Sequence, residues 1–251
     1  MQRYFIKSEQ LKADEGWIVG SDVHHVTHVM RGQVGDRVVV CTDAQQSYVV
    51  EITAIDQSKV WFKRVETKEE EVELPVSVTL AQGLIKGDKF EWVVQKATEC
   101  GVHCFLPVVM QRSVVKLDVK KVDQKVTRWQ KIALEAARQA HRQVVPVIKQ
   151  PMSLQQLMAQ ASQYEVCLFA YEQSGITHVD SLSRVINQLE AGMRVLILIG
   201  PEGGIDSSEA AMLTEAGFIS VGLGPRILRT ETAPIYVMSA LSYGLEIERR
   251  I

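Results

Sequence analysis

The run Ile197-Leu198-Ile199-Gly200-Pro201-Glu202-Gly203-Gly204 passes abruptly from a strand-like apolar stretch into a loop of glycine and proline. A second loop of the same kind follows one helix-like segment later: Gly222-Leu223-Gly224-Pro225-Arg226-Ile227-Leu228-Arg229-Thr230-Glu231-Thr232. Each follows an apolar run and precedes a helical pattern. Open α/β sheets bind ligands in the loops beyond the C-terminal ends of their strands. Glycine lets the backbone turn with positive φ or approach a ligand closely, and proline fixes φ between such points. Two loops of this composition predict one composite pocket lined mostly by main chain. Neither is a P-loop, which needs Lys-Ser/Thr, and neither reads GxGxxG. A cofactor gripped by backbone groups fits better than a bare phosphate.

Around these loops the chain alternates strand and helix from about residue 76 onward. Strands are expected at 76–81, 102–109, 165–170, 194–199 and 218–222. Helices are expected at 86–100, 123–139, 206–217 and 232–247. Asp206-x-x-Glu209 reads as a capping box with Gly217 as its helix stop, and Asp88-x-x-Glu91 with Gly101 reads the same way. Alternation of this kind predicts a parallel sheet covered by helices. Residues 1–72 differ. Val38-Val39-Val40-Cys41, Tyr48 to Thr53 and Lys59 to Lys63 are short β-branched and aromatic runs separated by turn residues, which predicts a small β-barrel. The polar stretch Lys68-Glu69-Glu70-Glu71, ending at Pro75, places the boundary near residue 72, with the α/β domain over 73–251.

The 251 residues are 46% hydrophobic and 23% charged, an ordinary globular balance. No apolar run nears the roughly 18 residues of a membrane span, and the N-terminus lacks a signal-peptide core. The expectation is a cytoplasmic protein with no membrane partner. Four scattered cysteines make no disulfide framework. Cys100-x-x-His103-Cys104 has no second cluster to complete a metal site, and His24 and His28 have no acidic or thiol companion close by, so no metal is expected. The net charge of -2 hides an uneven distribution. Residues 75–150 carry 13 Lys/Arg against 6 Asp/Glu, while both flanks are acidic. A local basic surface of this kind can hold a phosphate backbone, and the alternative is a solvated lysine-rich helix, Lys116 to Lys131, with no partner.

The paired loops together resemble the RsmE family of SPOUT-class ribosomal RNA methyltransferases. The resemblance extends over nearly the whole chain: Met1-Gln2-Arg3-Tyr4-Phe5, His24-His25-Val26 with Met30-Arg31, Lys86-Gly87-Asp88-Lys89 running to Gly101-Val102, and Trp129 to Ala137 ending at Gln139-x-x-Arg142. Arg138 departs from it, since many relatives carry an acid there. The resemblance implies a PUA-like N-terminal barrel that binds RNA and a SPOUT domain with a trefoil knot. It also implies S-adenosylmethionine as cofactor, a homodimer, and 16S rRNA or the small ribosomal subunit as partner. The implied reaction is methylation of N3 of a uridine. The alternatives are a non-catalytic RNA-binding protein and a SPOUT enzyme acting elsewhere, on a ribose hydroxyl or tRNA.

Uracil N3 is a poor nucleophile until its proton leaves, so the site needs a proton acceptor or a cation beside the flanking carbonyls. Arg229 is the candidate cation, and Glu231 the group that orients it or accepts the proton. Ile199, Gly200, Glu202, Gly203, Leu223, Gly224 and Leu228 are the candidate cofactor residues. For RNA the candidates are Arg3, His25, Arg31, Lys86, Lys89, Lys96, Arg112 and Arg142, because phosphate contacts call for Arg or Lys and an extruded base calls for an edge to hydrogen-bond.

Overall fold

A computed structural model of the chain describes residues 1–115, 119–172 and 181–249. The chain divides into two compact units. The first comprises Met1–Glu73 together with Ala137–Val145, and the second Leu74–Ala136 with Pro146–Ile251.

The first unit is built on a six-stranded sheet. Its strands are β1 (Arg3–Ile6), β2 (Leu11–Lys12), β3 (Glu15–Val19), β4 (Arg37–Thr42), β5 (Ser47–Ile55) and β6 (Lys59–Lys68), in the order β1-β4-β5-β6-β3-β2. β1 runs parallel to β4, and the other neighbours are antiparallel. Period-two alternation decides which side faces inward. Val60 and Phe62 of β6 are buried, whereas Trp61 and Lys63 between and beyond them are exposed. Gly16 lies opposite Phe62, and a Cβ there would fall 2.5 Å from the Phe62 ring, so only glycine leaves the ring its place. Tyr4, Ile18, Val26, Val40, Val50 and Ile52 complete the core.

Residues 137–145 join this unit through arginine. The Arg3 guanidinium is buried, donates to Glu70 Oε2 at 2.8 Å and to the Arg142 carbonyl at 3.0 Å. Arg142, also buried, donates from Nε to Glu73 Oε2 at 3.1 Å, and the same carboxylate accepts the Gln143 N–H at 2.8 Å. Arg138 reaches Asp22 at 2.5 Å and lies over the Tyr4 ring, which gives a structural role to the residue that departs from the family pattern.

The second unit carries the parallel sheet. β7 (Ser77–Gly83), β8 (Cys104–Val109), β9 (Val147–Ile148), β10 (Met152–Ser153), β11 (Val166–Ala170), β12 (Arg194–Ile199) and β13 (Ile219–Val221) follow the order β10-β8-β7-β12-β11-β13, with β9 also on β8. All pairings are parallel. Both faces are covered, so Val195 to Ile199 read as an unbroken buried run with no residue above 2% exposure. Helices occupy Lys89–Glu99, Val122–Gln139, Leu154–Met158, Ser181–Gln188, Ser207–Glu215 and Thr232–Ser242. Lys116, the expected start of the basic helix, lies outside the described residues.

The capping box at Asp206 forms as its sequence predicts. Asp206 Oδ1 accepts the Ser208 N–H at 2.9 Å, Glu209 Oε2 accepts the Asp206 N–H at 3.2 Å, and Gly217 ends the helix with φ +85°. The expected box at Asp88 does not form. Its ψ of 3° is not the extended value a capping side chain needs, and Glu91 is taken by Arg128 at 2.7 Å. The last helix keeps its α pitch only to Ser242, and Tyr243–Glu248 wind on as a π-helical turn.

Candidate functional site

The strand order sets the site. β12 lies between β7 and β11, and its last residue, Ile199, is registered against Gln82 of β7. Gly83 and Gly200 therefore leave the sheet side by side. A Cβ on Gly83 would lie 2.6 Å from the Pro201 nitrogen, so the first predicted loop packs directly on the end of β7. Thr230 of the second loop closes the group. Its hydroxyl donates to the Gly200 carbonyl at 2.6 Å, and Gln82 Nε2 donates to Thr230 Oγ1 at 3.0 Å and to the Gly83 carbonyl at 3.1 Å. Gln82 is fully buried. Carbonyl acceptors on one side fix its amide orientation, since a carbonyl cannot donate. Its Oε1 then has no partner among the described residues.

The cofactor candidates fall into two kinds. Ile199 and Gly200 are buried and offer main chain only. Gly203 packs against Arg112, whose guanidinium donates to the Gly203 carbonyl at 3.2 Å and to Asp206 at 2.8 Å. Leu223 and Leu228 are half-buried walls. Gly204 and Gly224 have φ of +73° and +88°, with open space or only the Tyr236 hydroxyl near a would-be Cβ. Glu202 Oε1 accepts the Lys86 N–H at 2.8 Å, which ties the first loop to the turn after β7.

Glu231 precedes the helix Thr232–Ser242, and its side chain is 16% exposed. Oε1 accepts Lys89 Nζ at 3.0 Å, while Oε2 is buried with no partner among the described residues. Burial works to raise the Glu231 carboxyl. Its own backbone N–H, the Lys89 ammonium and the Arg229 guanidinium outweigh that and hold it below the usual carboxylate range. The ion-pair partner of Glu231 is thus Lys89, read from sequence as an RNA contact, and not the adjacent Arg229. Arg229 is exposed, and its carbonyl accepts the N–H groups of Thr232 and Ala233 at 2.8 and 3.0 Å.

Among the RNA candidates, Arg3 and Arg142 are buried and bound to Glu70 and Glu73, ion pairs that lie within the first unit. His25 is half-buried with Nδ1 3.1 Å from the Tyr4 hydroxyl. Arg31 and Lys86 are exposed, and Lys96 pairs with Glu99 at 2.9 Å. Sequence reasoning missed Gln82, Gly83 and Thr230. The one available signal was a polar residue followed by glycine at the end of an apolar strand.

Two family models cover most of the chain: an RNA methyltransferase domain over residues 72–242 and an RNA methyltransferase PUA domain over residues 19–63. The chain is 43% identical to ribosomal RNA small subunit methyltransferase E of Bacillus subtilis, over 99% of each sequence. It is 29% identical to the Synechocystis protein of the same name, covering 97% of this chain and 78% of that one. Among solved structures, a Legionella pneumophila protein described as a methyltransferase, with bound S-adenosylmethionine, matches at 28% identity with a TM-score of 0.81 over 96% of both chains. The Neisseria gonorrhoeae small subunit methyltransferase E gives a TM-score of 0.82 at 24% identity, over 96% of this chain and 97% of that one, and shares the fold. With a parallel sheet whose strand-end loops converge, a PUA domain ahead of it and relatives that match end to end, this chain belongs to the ribosomal RNA small subunit methyltransferase E family.

Proposed function

We propose that this protein transfers a methyl group from S-adenosylmethionine to N3 of a uridine in 16S rRNA, at the pocket formed by residues 82–89, 199–204 and 222–231. The observation that carries this reading is the Oε2 of Glu231, buried with no partner among the described residues and within the electrostatic reach of exposed Arg229. The residues fit such a cofactor. Gln82 Oε1 is a buried acceptor with no partner among the described residues, and Gly204 and Gly224 present open backbone. S-adenosylmethionine supplies a methyl group activated on a sulfonium.

The protein supplies position and electrostatics. Main chain at Ile199, Gly200, Leu223 and Leu228 would hold the adenosine, with the flanking leucines as its walls. Lys89 anchors one oxygen of Glu231, so the other keeps a fixed direction and would take the N3 proton when the methyl group leaves its sulfonium sulfur for N3. Arg229 donates to the uracil carbonyl oxygens, where charge develops once N3 loses its proton. In this reading the segment 222–231 is threaded as a trefoil knot, with the Thr230–Gly200 hydrogen bond as its fastening. A homodimer buries the stripe Tyr236, Tyr243 and Ile247, all exposed in the single chain. Exposed Lys86 and Arg31 contact RNA. Among the described residues no helix is long and apolar enough to cross a membrane; the location in this reading is the cytoplasm, because the substrate is ribosomal RNA.

The test is methylation of small subunits from a strain lacking the gene, read by mass spectrometry of the rRNA. N3-methyluridine is expected, lost with Arg229→Ala while calorimetry still detects S-adenosylmethionine binding. A methyl group on ribose or on tRNA would move the assignment to another target, and no heat of binding would remove the enzyme reading.

A further inference from the structure

The outer face of β3 and β6 carries a feature that neither the methyl-transfer site nor the predicted RNA set uses. Trp17 and Trp61 are directly opposed across the two antiparallel strands, with ring centroids 5.7 Å apart. Trp61 is 37% exposed and Trp17 is half-exposed. Lys59 Nζ lies 5.1 Å from the Trp17 centroid and 4.9 Å from that of Trp61, and Lys12 Nζ lies 5.8 Å from Trp17. Beside Trp17 opens a cleft of about 460 Å³ lined by Lys7, Glu9, Gln10, Lys12, Trp17 and Val19, with Trp61 and Lys59 outside it.

We propose that this face is a stacking site for single-stranded RNA, in which a base lies against the Trp17–Trp61 pair and its phosphates meet Lys12 and Lys59. The cleft falls within the size range of small-ligand sites, roughly 300–1,000 Å³. Two indole faces inclined at 56° to each other and flanked by ammonium groups match the two chemistries of a nucleotide, a π-face and an anion. Of the nearby acids, Glu15 stands opposite Lys12 across β2 and β3, and the other three are engaged. Glu9 is 4.0 Å from Lys7, Asp14 holds Arg64 at 2.5 Å, and Asp56 accepts the Ser58 and Lys59 N–H groups at 2.6 and 2.8 Å. Lys12 and Lys59 make no ion pair with any described residue, so their charge is available to phosphate. An apolar protein partner is disfavoured by those same two lysines, which a hydrophobic interface would have to desolvate. The proposal rests on RNA being the substrate, and it adds a contact remote in sequence from the methyl-transfer loops.

The experiment is fluorescence anisotropy of a labelled single-stranded oligouridine on the full chain, without cofactor, across a salt series. Trp17→Leu and Trp61→Leu are each expected to weaken binding about 5- to 150-fold, the range for loss of one base–aromatic stack. Lys12→Ser combined with Lys59→Ser is expected to flatten the slope of log affinity against log salt by about 0.7 per lost phosphate contact. Trp17→Phe keeps a ring and should restore most of the affinity, which a purely structural tryptophan pair would not explain. The inference is overturned if the leucine variants, with native circular dichroism, bind as the parent does, or if the serine pair leaves the slope unchanged. Because methyl transfer is not read, failure of the catalytic assignment would leave these measurements intact.

Discussion

Gly83→Ala is expected to pry the first glycine loop off the sheet. An ideal Cβ at residue 83 would lie 2.6 Å from the Pro201 nitrogen, 2.7 Å from Pro201 Cδ and 2.9 Å from the Gly200 carbonyl carbon. All three atoms are backbone or a ring closed onto it, so no rotamer change relieves the clash. Restoring ordinary contact, near 3.4 Å, requires the ends of β7 and β12 to separate by about 0.8 Å. Overpacking of this kind costs about 1–3 kcal/mol. At about 2–4 °C per kcal/mol for a domain of this size, Tm should fall by about 2–12 °C. The functional loss should exceed the stability loss. A misplacement near 1 Å can cost about 100-fold in rate, and the same shift pulls Gly200 away from Thr230 and Gln82. Scanning fluorimetry and calorimetry with S-adenosylmethionine measure the two effects separately. Gly217→Ala is the control: its φ is +85° with nothing within 4 Å, so it carries only a left-handed backbone penalty of about 1–2 kcal/mol. It should lower Tm and leave cofactor affinity alone. Parent-like cofactor binding by Gly83→Ala, or an equal loss of it in Gly217→Ala, would refute the argument that backbone contact at residue 83 positions the pocket.

Lys89→Gln removes a cation that favours the charged form of Glu231, so the Glu231 carboxyl should rise. Its depressed folded-state value contributes stability present above the ordinary carboxylate range and lost as pH falls through that lower value. The acid limb of kcat/KM should accordingly move to higher pH in Lys89→Gln, and back in Lys89→Arg; an unmoved limb would separate Glu231 from the proton. Arg3→Met removes one of the two cations on half-buried Glu70, Lys68 being the other, and should cost about 1.5–3 kcal/mol in urea unfolding, with RNA affinity of the folded fraction unchanged. Burial pushes the Cys104 and Cys167 thiols up to about 11 each, so both should resist alkylation at pH 8 until the chain unfolds, as timed labelling and mass spectrometry would show.

Much of the α/β half was legible because its signals are local. The period change at Ile199-Gly200, the Asp206–Glu209 box and the glycine stops at 101 and 217 all act within a few residues, and each is present in the structure. What failed depended on partners distant in sequence. Glu70 looked like part of a solvated acidic run, yet it is the half-buried counter-ion of Arg3, 67 residues away. Glu91 had the right spacing to cap its helix, but Arg128 from another helix claims it. Lys89 and Glu231 each read as separate surface or loop charges until strand order brought them together. The insertion of β12 between β7 and β11, which juxtaposes the loops, has no trace in composition or periodicity. The paired tryptophans were invisible for the same reason, since each is an ordinary strand residue alone.

The excursion of residues 137–145 into the N-terminal unit bears on how the chain emerges from the ribosome. Glu70, Glu73 and Asp22 are made early, but the arginines that neutralise two of them, Arg142 and Arg138, are translated much later. The nascent N-terminal module therefore lacks the ion-pair partners of Glu73 and Asp22 until more than half of the polypeptide has been synthesised. Severing the chain near residue 73 would strand acids on one fragment and guanidinium groups on the other. Dissection of this enzyme into autonomous halves should begin by grafting the 137–145 strip onto the shorter piece.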